Sequence, residues 1–224
     1  MKRVLFVIFF GLAGTAVLLG LGKWQLDRLV WKQAILSEID SKIVAQPVDI
    51  PLQPTILNDR YLPVEAKGQL QPTTIRVLVS RKRIGAGYRL ISAFETDGRR
   101  VLVDRGFIKI DAPLPPLTKK DVSVLGNLHW PDEIDSYTPP PDWEKNIWFA
   151  RDVEALSKEL GTLPILIVAS NVSPSEKAVS PLPIDRSGIP NDHLQYAITW
   201  FSLAVVWITM SAVFLRRTRT RKKA

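Results

Sequence analysis

The chain has 224 residues, a formal net charge of +8, no cysteine, and only two histidines and two methionines. Without cysteine there is no disulfide framework, no thiolate metal site and no thiol redox chemistry, and scarce soft ligands leave copper almost unserved. The charge excess does not mark a nucleic-acid partner, because it lies entirely in two short tails: Lys2 and Arg3 at one end, and Arg216, Arg217, Arg219, Arg221, Lys222 and Lys223 at the other. Taking these eight from the 30 basic residues leaves 22 against 22 acidic ones, so everything between the tails sums to zero.

Next to those tails lie two apolar stretches. Residues 4–22 hold one polar side chain, Thr15, and residues 194–215 hold no charge. At about 1.5 Å per residue they reach roughly 28 and 33 Å, against about 30 Å of hydrocarbon to be crossed. Helices satisfy every backbone group internally, so two membrane spans are expected. A secretory signal is the rival for the first stretch, but such a core is shorter and ends in small residues; here Lys23 and Trp24 follow. The positive-inside bias puts both basic tails in the cytoplasm and everything between the spans on the other side. Only three residues precede the first span, and the absence of a transit peptide assigns a bacterial inner membrane.

Beyond the first span, Leu29, Leu36, Ile39 and Ile43 keep a near-helical spacing until Pro47, which predicts a juxtamembrane helical stalk over 23–46. Three prolines in 47–59 predict a linker. The period then changes. Segments 61–70, 74–80, 88–95, 100–108 and 122–129 are short, rich in β-branched and aromatic residues, and bounded by turn residues, as strands are. Asp97-Gly98 suits a type I′ turn, which pairs 88–95 with 100–108 antiparallel. Residues 151–160 predict a helix closed by Gly161, and 164–169 a buried strand. Pro174, Pro181, Pro183 and Pro190 mark an extended lead into the second span.

Four stretches carry a resemblance. GKWQLDRLVWK (22–32) stands at the exit of the first span, and GYRLISAFETDGRRVLVDRGFI (87–108) contains VLVDRGFI. NIWFARDVEAL (146–156) precedes the helix, and NDHLQYAITWF (191–201) opens the second span. In this order, between two spans, they resemble the SURF1 family of cytochrome c oxidase assembly proteins. Asp104, Phe107 and Ile108 depart from that family's Asn, Trp and Val, and Asp192 departs from its second Asn.

Each stretch also has a plainer reading. Trp24, Arg28 and Trp31 fall at i, i+4 and i+7 on one helical face, which serves a membrane-interface anchor as well as a partner contact made with Gln25. In VLVDRGFI, Val101 and Val103 face one way and Leu102 and Asp104 the other, so Arg105 and Gly106 come where a strand twists or ends; Asp104, Arg105 and Gly106 read as a structural motif. Gly85 and Gly87 lack the third glycine of a dinucleotide loop and read as a turn. Asp132, Glu133 and Asp135 lack calcium-loop spacing and read as a solvated acidic loop, so no metal site is expected.

His193 enters a membrane helix, where a histidine is costly unless it is solvated or partnered. Tyr196, Ala197 and Trp200 follow at i+3, i+4 and i+7 on its face, and a flat porphyrin would fit against them with neutral imidazole as an axial ligand. The resemblance implies a role near haem a and points to this histidine. The plain alternative is a headgroup-level residue that caps the helix beside Asn191 and Asp192. His129, followed by Trp130-Pro131, belongs to a strand end.

The expected fold class is a membrane protein with two transmembrane α-helices flanking a β-rich, mainly antiparallel α+β extracytoplasmic domain. The segments are a cytoplasmic tail (1–3), a span (4–22), the stalk (23–46), the periplasmic domain (47–190), a span (191–215) and a basic tail (216–224). The resemblance implies an assembly factor for cytochrome c oxidase that assists haem a insertion, with His193, Tyr196 and Trp200 against the haem, oxidase subunits (subunit I foremost) and the lipid bilayer as partners, and no enzymatic activity. A cofactor-free scaffold that binds oxidase subunits is the alternative. No nucleophile elbow, paired zinc histidines or Cys–His pair is present, so no catalytic residue is assigned.

Overall fold

With no proline before Pro47, nothing interrupts the N-terminal helical pattern. In the computed structural model, which describes residues 2–116, 119–184 and 191–220, α1 runs from Lys2 to Ile43 as one helix, so span and stalk are continuous. The second helix of comparable character, α4 (His193–Thr220), closes the described chain. Both are long and apolar enough to cross a membrane. Pro190 and the tail charges Arg221, Lys222 and Lys223 lie outside the described residues. The chain divides into two compact units: Met1–Glu38 with Arg186–Ala224, and Ile39–Asp185.

The second unit is built from β1 (Pro63–Arg81), β2 (Gly85–Thr96), β3 (Arg99–Lys109), β4 (Lys120–Leu128), β5 (Ile147–Trp148) and β6 (Leu166–Ser173), with short α2 (Ile56–Asp59) and α3 (Val153–Leu160). The two strands expected at 61–70 and 74–80 are one strand, β1, whose register shifts between Leu70 and Thr74. That irregularity bends it. Its first half pairs with β4 and its second with β2, so the order β2-β3-β6-β4-β1 returns to β2 and closes a five-stranded barrel. Pairings are antiparallel except β3 with β6 and the flanking contact of β5 with β1. The sheet is therefore mixed, with antiparallel pairs in the majority.

Period-2 alternation decides what fills the barrel. Val101 and Val103 point inward with Val64, Leu70, Phe94, Val124, Leu128 and Ile167. Leu102 points outward, where Leu156 and Leu160 of α3 cover it together with Trp148, Ile91 and Leu166. The helix α3 is set as its sequence demands: Asp152 Oδ1 accepts the Ala155 amide at 3.0 Å, and Gly161 ends it in the left-handed conformation. Buried Asn127 holds the other end of the domain, donating to Ile43 O, one of the carbonyls orphaned where α1 stops, and to Tyr61 O, each at 3.0 Å.

Two local readings need correction, and one strand was not read from the sequence. The linker at 47–59 contains α2, capped by Thr55 Oγ1. The glycines expected in a turn belong to β2: the turn lies before them, Gly85 opens the strand and Gly87 pairs with Lys109. Strand β5 has only two residues, too few to show a period.

Asp97 and Gly98 adopt φ of 49° and 70°, with Thr96 paired to Arg99, as the expected type I′ hairpin requires. No atom lies within 4 Å of a Cβ built on Gly98, so a side chain there meets conformational cost alone. Gly98→Val should lower stability by roughly 1–3 kcal/mol, read as a fall in the melting temperature of the detergent-solubilised chain. An unchanged melting temperature would show that the turn tolerates a β-branched residue and that the strain assigned to it is absent.

Candidate functional site

Helices pack closely only where side chains are small, and α1 supplies glycine where α4 supplies bulk. Cβ atoms built on Gly14 and Gly22 would stand 2.5 Å from the Trp207 indole and 2.7 Å from the Phe201 ring, while one on Gly11 would touch Ser211 at 3.3 Å. The partners descend along α4 as they ascend along α1, so the two helices run antiparallel. Trp207 Nε1–H donates to Gly11 O at 3.1 Å, and Thr15 Oγ1 donates to the same carbonyl at 2.7 Å. Ala197 and Ala204 are buried on the α4 side of this seam.

At the seam's upper end, Gln25 Oε1 lies 2.8 Å from His193 Nδ1. Gln25 is only 9% exposed, and His193 is half-buried. The cost of a histidine at the helix entrance is thus met by a partner on the other helix. At the start of α4, Tyr196 N donates to the backbone oxygen of Asp192, and Asn191 Oδ1 is buried without a hydrogen-bond partner. Of the aromatics on the histidine's face, Trp200 is half-buried and Tyr196 is 55% exposed. Trp24, Arg28 and Trp31 are all exposed, with the Arg28 guanidinium 4.2 Å from the Trp31 ring centre. Gln25 therefore parts from the residues it was grouped with. One position along a helix turns a side chain by about 100°, and that step carries it into the seam.

The second place where polar side chains gather is in the barrel domain. Asp104, 0% exposed, receives Arg89 Nη1 at 2.5 Å and Arg151 Nη1 at 3.5 Å, and its Oδ1 accepts the Gly106 amide at 3.1 Å. Arg89 also donates to Leu182 O at 3.2 Å. Arg151 forks onto Glu133, which is exposed, as expected of the acidic loop, but is paired there. Although burial alone would raise the Glu133 carboxyl, the bonds from Arg151 hold it below its ordinary value. Buried Arg105 reaches Thr74 and Ser92 hydroxyls through one nitrogen and Glu176 through the other. Gly106 has φ of 120°, and Phe107 beyond it exchanges backbone bonds with Ser180 at 2.7 and 2.8 Å. The strand twists here and continues to Lys109.

His129 stacks on Tyr61, with ring centres 5.4 Å apart. Burial, then the charges of Arg151 and Arg60, lower its pKa from 6.5 to about 4, with Glu133 opposing. The folded domain holds this ring neutral where the unfolded chain would protonate it, so stability is full above pH 6.5 and is lost as pH falls toward 4. The loss between pH 7 and 5 should be at most about 2 kcal/mol. His129→Phe keeps the stacking, and denaturant unfolding followed by tryptophan fluorescence should show this part of the pH dependence removed; a slope equal to the parent's would exonerate the histidine.

The architecture defines a class: a small barrel domain inserted between two apolar helices that pack on each other through glycines. The sequence model of the SURF1 family matches residues 12–205, and the chain belongs to that family. All four motifs lie within the match. The chain is similar to Surfeit locus protein 1 of Homo sapiens, at 31% identity over 212 residues covering 83% of this chain and 69% of that one. It is similar to the Rattus norvegicus protein of the same name, at 27% over 243 residues, 95% of this chain and 77% of the other. A SURF1-like protein of Rickettsia felis matches at 27% over 212 residues, 89% and 92% of the two chains.

Two sets of residues were not legible as sites beforehand. Arg89 and Arg151 stand inside quoted motifs, but nothing in their spacing announces that both meet Asp104. The pairing of Gln25 with His193 had one signal, a polar residue at the end of each span.

Proposed function

We propose that this chain is a membrane-anchored assembly factor for cytochrome c oxidase that holds haem a transiently at His193. In this reading α1 and α4 cross the bacterial inner membrane with both termini cytoplasmic, and the barrel domain stands in the periplasm. The observation that carries the haem assignment is the bond from Nδ1 to Gln25, which occupies one ring nitrogen and leaves Nε2 as the ligand atom. Tyr196 and Trp200 on the same face supply aromatic surface for a macrocycle. When bound, the haem contributes only an iron that accepts a neutral imidazole. The chain's own part is to bind, orient and shield it. The chain assigns no group to a catalytic step. Oxidase subunits, subunit I foremost, would meet the exposed Trp24, Arg28 and Trp31 face, the feature that also favours the alternative of a scaffold without cofactor.

Topology is tested with reporter fusions. Alkaline phosphatase should be active when fused near residue 120 and inactive after Ala224, because the basic tails stay on the cytoplasmic side; the opposite pattern would refute the periplasmic assignment.

For the haem assignment, His193→Ala removes the ligand and His193→Asn removes it while keeping a group able to cap a helix. Both variants should insert at the parent's level, purify from a haem-a-producing host with much less haem, and support less active oxidase. Parental haem content in both would eliminate His193 as the ligand. Colourless parent protein that still captures an oxidase subunit would select the scaffold.

A further inference from the structure

Two of the four motifs meet through one hydrogen bond between Gln25 and His193, residues 168 apart in the chain. An amide oxygen has lone pairs and no proton, so the ring nitrogen that faces it must carry one. Nδ1–H then donates to Gln25 Oε1, and the lone pair is confined to Nε2. Gln25 is fixed in the seam rather than free to swing, being 9% exposed between helices that pack closely through the glycines of α1. One turn beyond the histidine stands Ala197, whose single methyl gives the ring little lateral support. The ring orientation therefore depends on the amide.

We infer that Gln25 is a positioning residue that fixes His193 in the Nδ1–H tautomer and aims Nε2 outward as a ligand. This rests on the reading of His193 as a haem ligand, and it moves Gln25 from partner contact to support of the site. Donation from Nδ1–H increases the electron density at Nε2, as it does for metal-bound histidines with an acceptor behind them. The two helices are both needed, since neither carries the ligand and its support together.

The test uses the full chain in detergent. With 15N-labelled histidine there are only two imidazoles to assign, and His193→Ala identifies the signals of one. At neutral pH the parent should show His193 protonated at Nδ1, and Gln25→Leu should shift it toward the Nε2–H form that free imidazole side chains favour. An Nε2–H ring in the parent overturns the inference. The second readout is titration with haemin alone, followed at the Soret band. Gln25→Leu should weaken binding by about tenfold or more. Gln25→Glu, with a stronger acceptor in the same place, should retain binding and lower the reduction potential of the bound iron. If His193→Ala abolishes binding while Gln25→Leu binds as the parent does, the inference fails and the ligand reading stands. If His193→Ala binds haemin as the parent does, the ligand reading fails, and the tautomer measurement still decides the role of Gln25. Equal weakening in both Gln25 variants with no change in potential would mark a packing role and overturn the proposal.

Discussion

A carboxylate with no exposure to water is stable only if its charge is matched and its lone pairs are used, and Asp104 meets both conditions. Arg89 comes from β2, Arg151 from the turn before α3, and the Gly106 amide from the strand's own twist. Through these partners, Glu133 and the carbonyl of Leu182 are drawn into the same cluster. The positions of two strands, one helix start and two irregular segments thus depend on a single buried charge. Its loss would leave two arginines facing each other in a space with little water, a far larger penalty than the loss of one exposed pair. The neighbouring Arg105 repeats the arrangement on a smaller scale, with two hydroxyls and Glu176.

The helix pair is held on a different principle. If the pair crosses a membrane, as in the reading advanced above, no hydrophobic gain favours helix association there, and close packing with the few available polar contacts must supply it. Gly11, Gly14 and Gly22 bring the backbones near enough for Ser211, Trp207 and Phe201 to fill the seam. The indole bond to Gly11 O and the pairing of Gln25 with His193 then set its register. Such a seam leaves the outer faces of the helices free, and the exposed Trp24, Arg28 and Trp31 lie on one of them.

Function, in the reading advanced above, sits in the helix pair, while the large buried hydrophobic clusters sit in the barrel domain. The barrel's polar clusters centre on the buried side chains of Asp104 and Arg105, which are held by several partners each. His193 differs from them in having one nitrogen held and its aromatic neighbour Tyr196 turned outward. A buried network resists ligand exchange, whereas a half-buried imidazole beside exposed aromatics permits transient binding.

The sequence by itself determined the features that arise from local chemistry. Two uncharged stretches next to basic tails declared the long helices, alternation declared the strands, Asp97-Gly98 declared the hairpin, and Gly161 the end of α3. The motifs were enough to reveal the family. Tertiary structure alone decided the closure of the barrel, because β1 pairs with two different strands only after it bends between Leu70 and Thr74. It alone reunited Asp104 with Arg89 and Arg151, and it alone turned Gln25 away from Trp24 toward a histidine far along the chain. The physical reason is common to all three. Periodicity reports which face of an element is apolar, but partnership between polar groups is decided by which elements come to lie side by side, and no local pattern encodes that.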